Sequence, residues 1–293
     1  MGILNRLGRS HQERVARLAQ TVGFTDFLCR IQERRYRPYL RALNYHGMSP
    51  KDRDSLEAQF RYLAENYTCL TDQGLEDFLA GKRSLKKPGL LITFDDGYHS
   101  QYDIAAPILE KYGLVGWFFV ITSACDPEKK IIETDTEPLN TAYFMNWTHL
   151  TELLTRGHIV GCHTQNHRNV GKLHSEAYDL ELERSKLTLE KHLKIPIRSF
   201  CFPFGTTDSY SAESLRTLTQ HYDFLFHSFP KAIRPGNSPY SVGRIPCEPA
   251  WSTATLKLKL SGAYDRRYRN ALRQYDETLR TVRAASPSPR PLQ

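Results

Sequence analysis

Two adjacent aspartates, Asp95 and Asp96, follow an apolar run over residues 90–94. Burying two carboxylates without partners is costly, so we expect a cation or a strong set of hydrogen-bond donors beside them. In a turn after a strand, neighbouring side chains point in different directions, so one carboxylate can hold a metal ion while the other faces a substrate. Because Asp-Asp-Gly is also typical of an ordinary turn, this pair needs support from other residues.

Two histidines four residues apart, His163 and His167, follow a second apolar run over residues 158–162. If the chain turns helical there, both imidazoles lie on one face and can reach a single ion. A lone histidine is more often structural. A pair at this spacing, at the same end of a parallel sheet as two aspartates, indicates a metal site. One carboxylate and two imidazoles form the open ligand set of a catalytic Zn²⁺ or a similar ion.

The elements that position these side chains are predicted by alternating apolar runs and helical patterns. We predict strands over residues 41–46, 90–94, 115–121, 158–162, 199–202 and 224–226. We predict helices over residues 55–66, 102–112, 146–156, 175–194 and 212–221, with a polar loop over 126–140. Strands separated by helices of this length favour parallel pairing with right-handed crossovers. An α/β barrel or a closely related layered fold is therefore expected.

The composition is that of a globular protein. The chain has 293 residues, of which 40% are hydrophobic, so collagen-like, low-complexity and wholly disordered classes are excluded. Its longest apolar stretches, residues 89–94 and 113–121, are far shorter than the roughly 20 residues of a membrane-spanning helix. The six cysteines form no Cys-x-x-Cys pair, and the N-terminus lacks the pattern of a signal peptide. We therefore expect reduced thiols and a cytoplasmic protein.

The net charge of +8 is concentrated at the two ends of the chain. Residues 1–41 hold nine arginines against three acidic residues, and residues 264–283 hold six against three. The body between them is close to neutral, which is not typical of a nucleic-acid groove, so no nucleic-acid partner is expected. The basic ends are expected near an anionic surface, such as a membrane leaflet or a lipid-linked phosphate. Solvated basic helices without a partner are an equally open alternative.

Ser10 and Glu13 have the spacing of a capping box, and apolar residues follow at helical spacing. We therefore predict an amphipathic helix that begins at Ser10. The proline-rich and serine-rich end of the chain, residues 284–293, is predicted to be disordered.

Three stretches of this sequence resemble the first three motifs of the polysaccharide deacetylases with the NodB homology domain, carbohydrate esterase family 4. They are TFDDG at residues 93–97, HTQNH at 163–167 and FPFG at 202–205. The stretches occur in the family's order, and the resemblance covers about residues 40–250. It implies a distorted (β/α) barrel of about seven parallel strands, with additional helices at the N- and C-termini.

The same resemblance implies roles for individual residues. Asp96, His163 and His167 would bind a divalent metal, expected to be Zn²⁺ with Co²⁺ or Ni²⁺ as alternatives, and Asp95 would be the general base. A bound ion lowers the pKa of its water towards about 7. A positioned carboxylate that removes the water's proton typically adds about 10² to 10⁴ in rate.

The third motif would line the substrate groove, and the backbone N–H near Phe204 would help to stabilise the oxyanion. The residues expected to bind substrate are Tyr98, Pro203, Phe204 and Gly205.

The sequence departs from the family pattern in the arginine that restrains the catalytic aspartate. Many members carry this arginine just before the third motif, where the present chain has Cys201 and Phe202. We interpret Arg244 as the substitute, with a surface ion pair as the alternative interpretation.

A second departure concerns the general acid. The family's late Leu-x-His motif is missing, because the last histidine of the chain is His227, which we interpret as structural. His46 lies instead on the first predicted strand, and the first and last strands are neighbours in a closed barrel. Poly-N-acetylglucosamine deacetylases are similar in carrying a Tyr-His on an early strand. We therefore hypothesise that His46 protonates the departing amine, with a packed strand histidine as the alternative.

The function expected from this resemblance is a metal-dependent hydrolase that removes N-acetyl groups from an amino sugar. The substrate would be a polysaccharide, an oligosaccharide or a lipid-linked precursor. A related amidase or deformylase acting on another C–N bond is an alternative, since this metal arrangement recognises a carbonyl rather than a whole sugar. A non-catalytic carbohydrate-binding domain is a third interpretation, against which the complete set of metal-binding residues argues.

We divide the chain into a basic helical extension over residues 1–38, a NodB-like domain over 39–262, a basic helix over 263–283 and the tail. Without an export signal, a cytoplasmic protein at the inner face of the membrane is expected.

Overall fold

A computed structural model describes residues 3–285 of the chain. In this part of the chain the strands are β1 (Leu40–Tyr45), β2 (Thr68–Cys69), β3 (Gly89–Phe94), β4 (Gly116–Val120), β5 (Ile131–Ile132), β6 (Leu139–Asn140), β7 (Ile159–Cys162), β8 (Ser199–Cys201), β9 (Phe224–His227) and β10 (Val242–Pro246). The helices are α1 (Ile3–Thr21), α2 (Phe24–Tyr36), α3 (Arg53–Asn66), α4 (Asp72–Leu79), α5 (Ala106–Lys111), α6 (Trp147–Thr155), α7 (Ser175–Tyr178), α8 (Ser185–Leu193), α9 (Ala212–His221), α10 (Thr253–Leu260) and α11 (Arg269–Ala285).

Seven parallel strands close into a barrel in the order β1-β10-β9-β8-β7-β4-β3, and β1 completes the ring by pairing with β3. The short strand β2 pairs with the start of β3 on the side away from β1. Strands β5 and β6 pair in a separate antiparallel hairpin. The predicted barrel of about seven parallel strands is therefore confirmed. Its closure brings the first and last strands together, with Ala42 in register with Arg244.

Both faces of β3 and β4 are buried, which explains why the sequences of these two strands are nearly continuous apolar runs. On β3, Ile92 and Phe94 pack outward against the surrounding helices, while Leu91 packs inward. Inside the barrel, large aromatic side chains pack with apolar residues of α4, which closes the end where the strands begin. The inward-facing aromatic residues are Trp117, Phe119, Phe224 and Phe226.

The first helix differs from the prediction. Helix α1 begins at Ile3 and passes through Ser10, so the predicted capping box is wrong. Glu13 instead reaches across to α10, where its carboxylate accepts hydrogen bonds from the Ser252 amide at 3.0 Å and from the Ser252 hydroxyl at 2.6 Å. A carboxylate near a helix N-terminus is electrostatically favourable, and this tertiary contact ties α1 to the barrel.

Other elements were missed or misjudged from the sequence. The predicted loop over residues 126–140 contains the hairpin β5–β6, and the predicted long helix over 175–194 includes a π-helical segment, Asp179–Arg184. The predicted helix over 102–112 also starts in a π-helical segment, Gln101–Ala105. The elements without a sequence prediction are α4, α10, β2 and β10, while α2 lies within the helical extension predicted over residues 1–38. In the predicted disordered tail, residues 284 and 285 end α11, and residues 286–293 lie outside the described residues.

The carboxyl ends of the parallel strands gather the predicted site residues at one end of the barrel, as in other parallel barrels. His46 follows β1, Asp95 and Asp96 follow β3, and His163 follows β7. The FPFG motif follows β8, and Arg244 lies within β10.

A buried ion pair fixes the segment before α11 to the barrel. The Arg41 side chain on β1 is fully buried and donates two hydrogen bonds to Asp265, at 2.7 and 2.8 Å. We expect Asp265→Ala to lower the free energy of unfolding by about 3 kcal/mol, because the guanidinium would stay buried without its partner. Chemical denaturation measures this change. The exposed pair of Arg184 and Asp179 provides a control, since Asp179→Ala should cost less than about 1 kcal/mol. Equal losses in the two variants would contradict the prediction.

Candidate active site

Asp96, His163 and His167 converge at the open end of the barrel. Asp96 Oδ1 lies 3.4 Å from the Nε2 atoms of both His163 and His167, and the three ligand atoms lie within 4.8 Å of one another. Asp96 Oδ1 is buried and accepts no hydrogen bond from any described residue. Burial alone would raise the pKa of Asp96, but the two imidazoles outweigh it and hold that pKa far below its usual range. The site therefore presents an ionised carboxylate oxygen and two ring nitrogens to a common point.

The two histidines converge through a loop rather than through the helical turn considered from the sequence. Thr164 and His167 have left-handed backbone conformations, with φ of 66° and 56°, so the chain folds back on itself between the imidazoles. His163 is further oriented by its Nδ1, which lies 2.8 Å from the carbonyl oxygen of Cys201. A carbonyl acceptor at Nδ1 keeps the proton there and leaves Nε2 free as a ligand.

Asp95 is held in a different set of contacts, although it is the next residue along the chain. Arg244 donates to both of its carboxylate oxygens, at 2.6 and 2.8 Å, and Asn44 donates to Oδ2 at 2.9 Å. Burial alone would raise the pKa of Asp95, but the Arg244 guanidinium outweighs it and holds that pKa below its usual value. Arg244 therefore lies where the interpretation of the sequence required a substitute arginine.

A second group of three ligand-type residues, Asp95, His163 and Cys201, also lies within 4.8 Å. Both carboxylate oxygens of Asp95 are already bonded to Arg244, whose positive charge would repel a cation. Burial also raises the pKa of the Cys201 thiol well above its usual value, which disfavours the thiolate that metals bind. The group of Asp96, His163 and His167 is therefore the better cation site.

His46 lies directly after β1, at the mouth of the site. Its Nε2 is 3.9 Å from Asp95 Oδ2, and 54% of its side chain is exposed. An exposed imidazole beside a buried carboxylate can exchange a proton with solvent and with a bound molecule. It is not the packed strand histidine that the sequence left as an alternative. His227, by contrast, is buried, with Nε2 at 3.2 Å from Ser241 Oγ, in agreement with the structural role expected for it.

The third motif forms a tight turn beside His167. Phe204 has a φ of 63°, and its ring packs edge-on against His167 with centroids 4.9 Å apart. The Gly205 amide donates to the Pro203 carbonyl at 2.7 Å, while the Phe204 amide donates to no acceptor among the described residues. Gly205 is required here, because a Cβ at this position would lie 2.2 Å from Ser228 Oγ.

An open cleft of about 720 Å³ lies beside the site, and residues that follow His46 and Asp96 in the sequence line it. Tyr98 lines this cleft, and its ring stacks on Phe144 with centroids 4.8 Å apart. Gly47, which follows His46, lies against the same Tyr98 ring, where a Cβ would be 3.3 Å from Cδ2. Tyr98 is thus placed to contact a substrate, and that contact stays a prediction.

Two π-helical segments support the loops of the site. Sequence reasoning did not anticipate this support. In the first, Gln101 is buried and donates from Nε2 to the Asp95 carbonyl at 2.5 Å. In the second, the Glu181 carboxylate accepts hydrogen bonds from the Asn166 amide at 2.9 Å and from the Asn166 side chain at 2.8 Å. The Glu181 carbonyl also accepts from the Gln165 amide at 3.1 Å. Glu181 therefore holds the loop between His163 and His167.

A comparison with protein families identifies this arrangement. The model of the family described as polysaccharide deacetylase matches residues 82–222, the segment that carries all three motifs. This segment belongs to the polysaccharide deacetylase family. The family assignment from the sequence motifs is therefore confirmed.

Relatives among polysaccharide deacetylases agree with this assignment. Bacillus subtilis YxkH is 24% identical over 229 residues, which are 76% of this chain and 74% of that protein. The poly-beta-1,6-N-acetyl-D-glucosamine N-deacetylase of Staphylococcus aureus is 27% identical over 174 residues, which are 58% of this chain and 59% of that protein. The solved structure of IcaB from Ammonifex degensii is 26% identical with a TM-score of 0.58, and the match covers 76% of this chain and 98% of that one.

Some supporting residues of this deacetylase-family site could have been found in the sequence. Asn44 precedes His46 by two residues, so the period of a strand places the two on the same side of β1. Glu181 and Gln101 carry no such signal, because their contacts depend on how helical segments pack against the barrel.

We predict that Glu181→Ala weakens Zn²⁺ binding by about 10- to 100-fold, as is typical when a residue that orients ligands is removed. The reason is that the Asn166 amide would lose its acceptor and the histidine loop its anchor. Calorimetric titration of the metal-free protein with Zn²⁺ measures the change. Glu183→Ala, two residues along the same helical segment, is the control. Unchanged affinity in the Glu181 variant would contradict the role given to this carboxylate.

Proposed function

We propose that this protein is a metal-dependent N-deacetylase that removes acetyl groups from N-acetylated amino sugars. The observation that carries the proposal is the division of labour between two adjacent carboxylates. Asp96 faces two imidazole nitrogens at 3.4 Å, and Asp95 is bonded to Arg244 beside the exposed His46. This arrangement supplies a cation site and a proton acceptor to the same small volume.

The residues present fit a divalent cation. Asp96 Oδ1 is a buried oxygen without a hydrogen-bond donor among the described residues, and a cation is the partner that would complete its contacts. Asp96, His163 and His167 would hold the ion, which matches the three-ligand set of catalytic zinc sites. When bound, such an ion lowers the pKa of a water molecule and polarises the amide carbonyl of a substrate.

Asp95 would act as the general base. Its Oδ1 accepts one hydrogen bond, from Arg244, and so keeps a lone pair that can take a proton from the attacking water. Because Arg244 and Asn44 hold the carboxylate on two sides, its orientation is fixed before the substrate arrives. Preorganisation of this kind reduces the reorganisation needed in the transition state.

His46 would act as the general acid that protonates the departing amine. The bond to the acetyl carbon breaks as the amine nitrogen receives a proton, and an imidazole is suited to donate it near neutral pH. The position of His46 beside Asp95 Oδ2 supports this role. The Phe204 amide, which has no acceptor among the described residues, would donate to the developing oxyanion.

We propose an N-acetylglucosamine-containing glycan as the substrate class. The name of the Staphylococcus aureus relative, a poly-beta-1,6-N-acetyl-D-glucosamine N-deacetylase, supports this choice. The open cleft lined by Tyr98 and Gly47 supports it as well, because space beside the reacting group can receive further sugar units.

We expect Asp95→Asn to lower kcat by about 10² to 10⁴, because the amide cannot accept the proton of the attacking water. Acetate released from N-acetylglucosamine oligomers by the zinc-loaded protein measures the rate. Zn²⁺ content should stay at one per chain, since the proposed ligands are untouched. Asp179→Asn, an exposed substitution on the π-helical segment after α7, is the control. Full turnover by the Asp95 variant would refute its assignment as the base.

We expect His46→Ala to separate two kinds of substrate. Hydrolysis of the acetamide should fall by about 100-fold, because the amine leaves only when protonated. Hydrolysis of 4-methylumbelliferyl acetate should stay within about threefold, because an aryl oxide needs little help from an acid. Released acetate measures hydrolysis of the acetamide, and released 4-methylumbelliferone, a fluorescent phenol, measures hydrolysis of the ester. Equal loss on both substrates would show a structural role for His46, and full acetamide turnover with metal bound would remove the assignment.

A further inference from the structure

The first two helices expose large apolar side chains in a regular pattern. On α1 these are Val15 and Leu18, with Val22 in the turn that follows the helix, and on α2 they are Phe24, Phe27 and Ile31. Both sets have the spacing i, i+3 and i+7, and the Val22 amide still donates to the Leu18 carbonyl at 3.1 Å, so each set of three side chains forms one stripe. Leu18 and Val22 are 66% and 67% exposed, and Phe27 is 56% exposed.

Among the described side chains of α1 and α2, the buried ones are small or polar. Ala16 of α1 is fully buried, and α1 packs against α10. Thr25 and Gln32 are the buried residues of α2. A helix that only covers a soluble core normally turns its large apolar residues inward. Here the six large residues of the stripes point outward, whereas Leu28 is half-buried, and exposed apolar side chains in this number are typical of an interaction surface.

Arginines flank the apolar stripes. Exposed arginines on the two helices are Arg14, Arg17, Arg30, Arg34 and Arg35. These arginines are neighbours in the sequence of Val15, Leu18 and Ile31, so the surface combines apolar side chains with positive charge. This combination is complementary to the boundary between the acyl chains and the headgroups of an anionic bilayer.

We propose that the outward faces of α1 and α2 bind the surface of an anionic lipid bilayer. The six apolar side chains would enter the acyl boundary, and the flanking arginines would contact lipid phosphates. None of the described helices has the length and hydropathy needed to cross a membrane, so the two helices would lie in the plane of the interface. The short turn at Gly23, with a φ of 71°, joins the two helices, which pack against each other.

The charge of this surface favours a bilayer over a second copy of the chain. In a symmetric dimer formed through α1 and α2, arginines of one copy would approach arginines of the other. Such contacts cost free energy, whereas anionic headgroups would neutralise the same side chains. The proposal is independent of the proposed deacetylase activity, because no residue of the candidate active site lies on α1 or α2.

Co-sedimentation of the full chain with vesicles tests the proposal. We expect binding to vesicles that contain phosphatidylglycerol, weaker binding at high salt, and little binding to vesicles of phosphatidylcholine alone. The double variant Leu18→Ser with Phe27→Ser should lower the affinity for phosphatidylglycerol vesicles at least about tenfold. The control is Leu180→Ser with Leu187→Ser, which removes two exposed leucines elsewhere and should bind as the unmodified protein does.

A second measurement uses a variant that should still bind vesicles and follows the fluorescence of a new tryptophan. In Phe27→Trp, the emission of the new tryptophan should shift to shorter wavelength on addition of phosphatidylglycerol vesicles and should be quenched by brominated lipid. Unchanged emission would overturn the proposal, as would equal loss of binding in the control variant. A dimer in analytical ultracentrifugation that Leu18→Ser with Phe27→Ser dissolves, without vesicle binding by the unmodified chain, would assign the surface to a second copy instead.

Discussion

The buried pair of Arg244 and Asp95 is the contact on which the rest of the site depends. It joins β10 to the end of β3. The two residues can meet only because the barrel closes, with β1 paired to β10 on one side and to β3 on the other. Two adjacent carboxylates would otherwise compete for the same cation. Since Arg244 binds one of them through both oxygens, only Asp96 is left to face His163 and His167. Removing one partner of such a buried pair typically costs about 3–5 kcal/mol, which makes the separation of roles durable.

Strained backbone conformations are concentrated in the three sequence motifs that form the candidate active site. Five non-glycine residues of the described chain have positive φ, and one of them, Lys194, simply ends a helix. The other four, Asp96, Thr164, His167 and Phe204, are in the three motifs. Left-handed conformations of such residues cost about 1–3 kcal/mol each and persist only where surrounding contacts impose them. Here those contacts come from the barrel strands and from Glu181. The barrel thus supplies the free energy that holds the proposed metal ligands in place.

The sequence was sufficient for the parts of this account that depend on local patterns. Apolar runs predicted the main strands, and motif order predicted which residues meet at the end of the barrel. It was insufficient where a contact between distant residues decides the outcome. Ser10 has the pattern of a helix cap but lies inside α1, and the neighbouring Glu13 binds Ser252 across the structure. A helical turn was the geometry considered for bringing His163 and His167 together, yet a loop does so. Glu181 has no local signal at all, because its partners lie on a separate loop.

The most direct test of this account is the position of the metal in a zinc-soaked crystal, located by anomalous scattering at the zinc edge. We predict one peak at about 2.0–2.2 Å from Asp96 Oδ1 and from the Nε2 atoms of His163 and His167. In the same crystal, Asp95 should keep both hydrogen bonds to Arg244. A peak between Asp95, His163 and Cys201, or crystals without zinc at either group, would contradict the division of roles between the two aspartates.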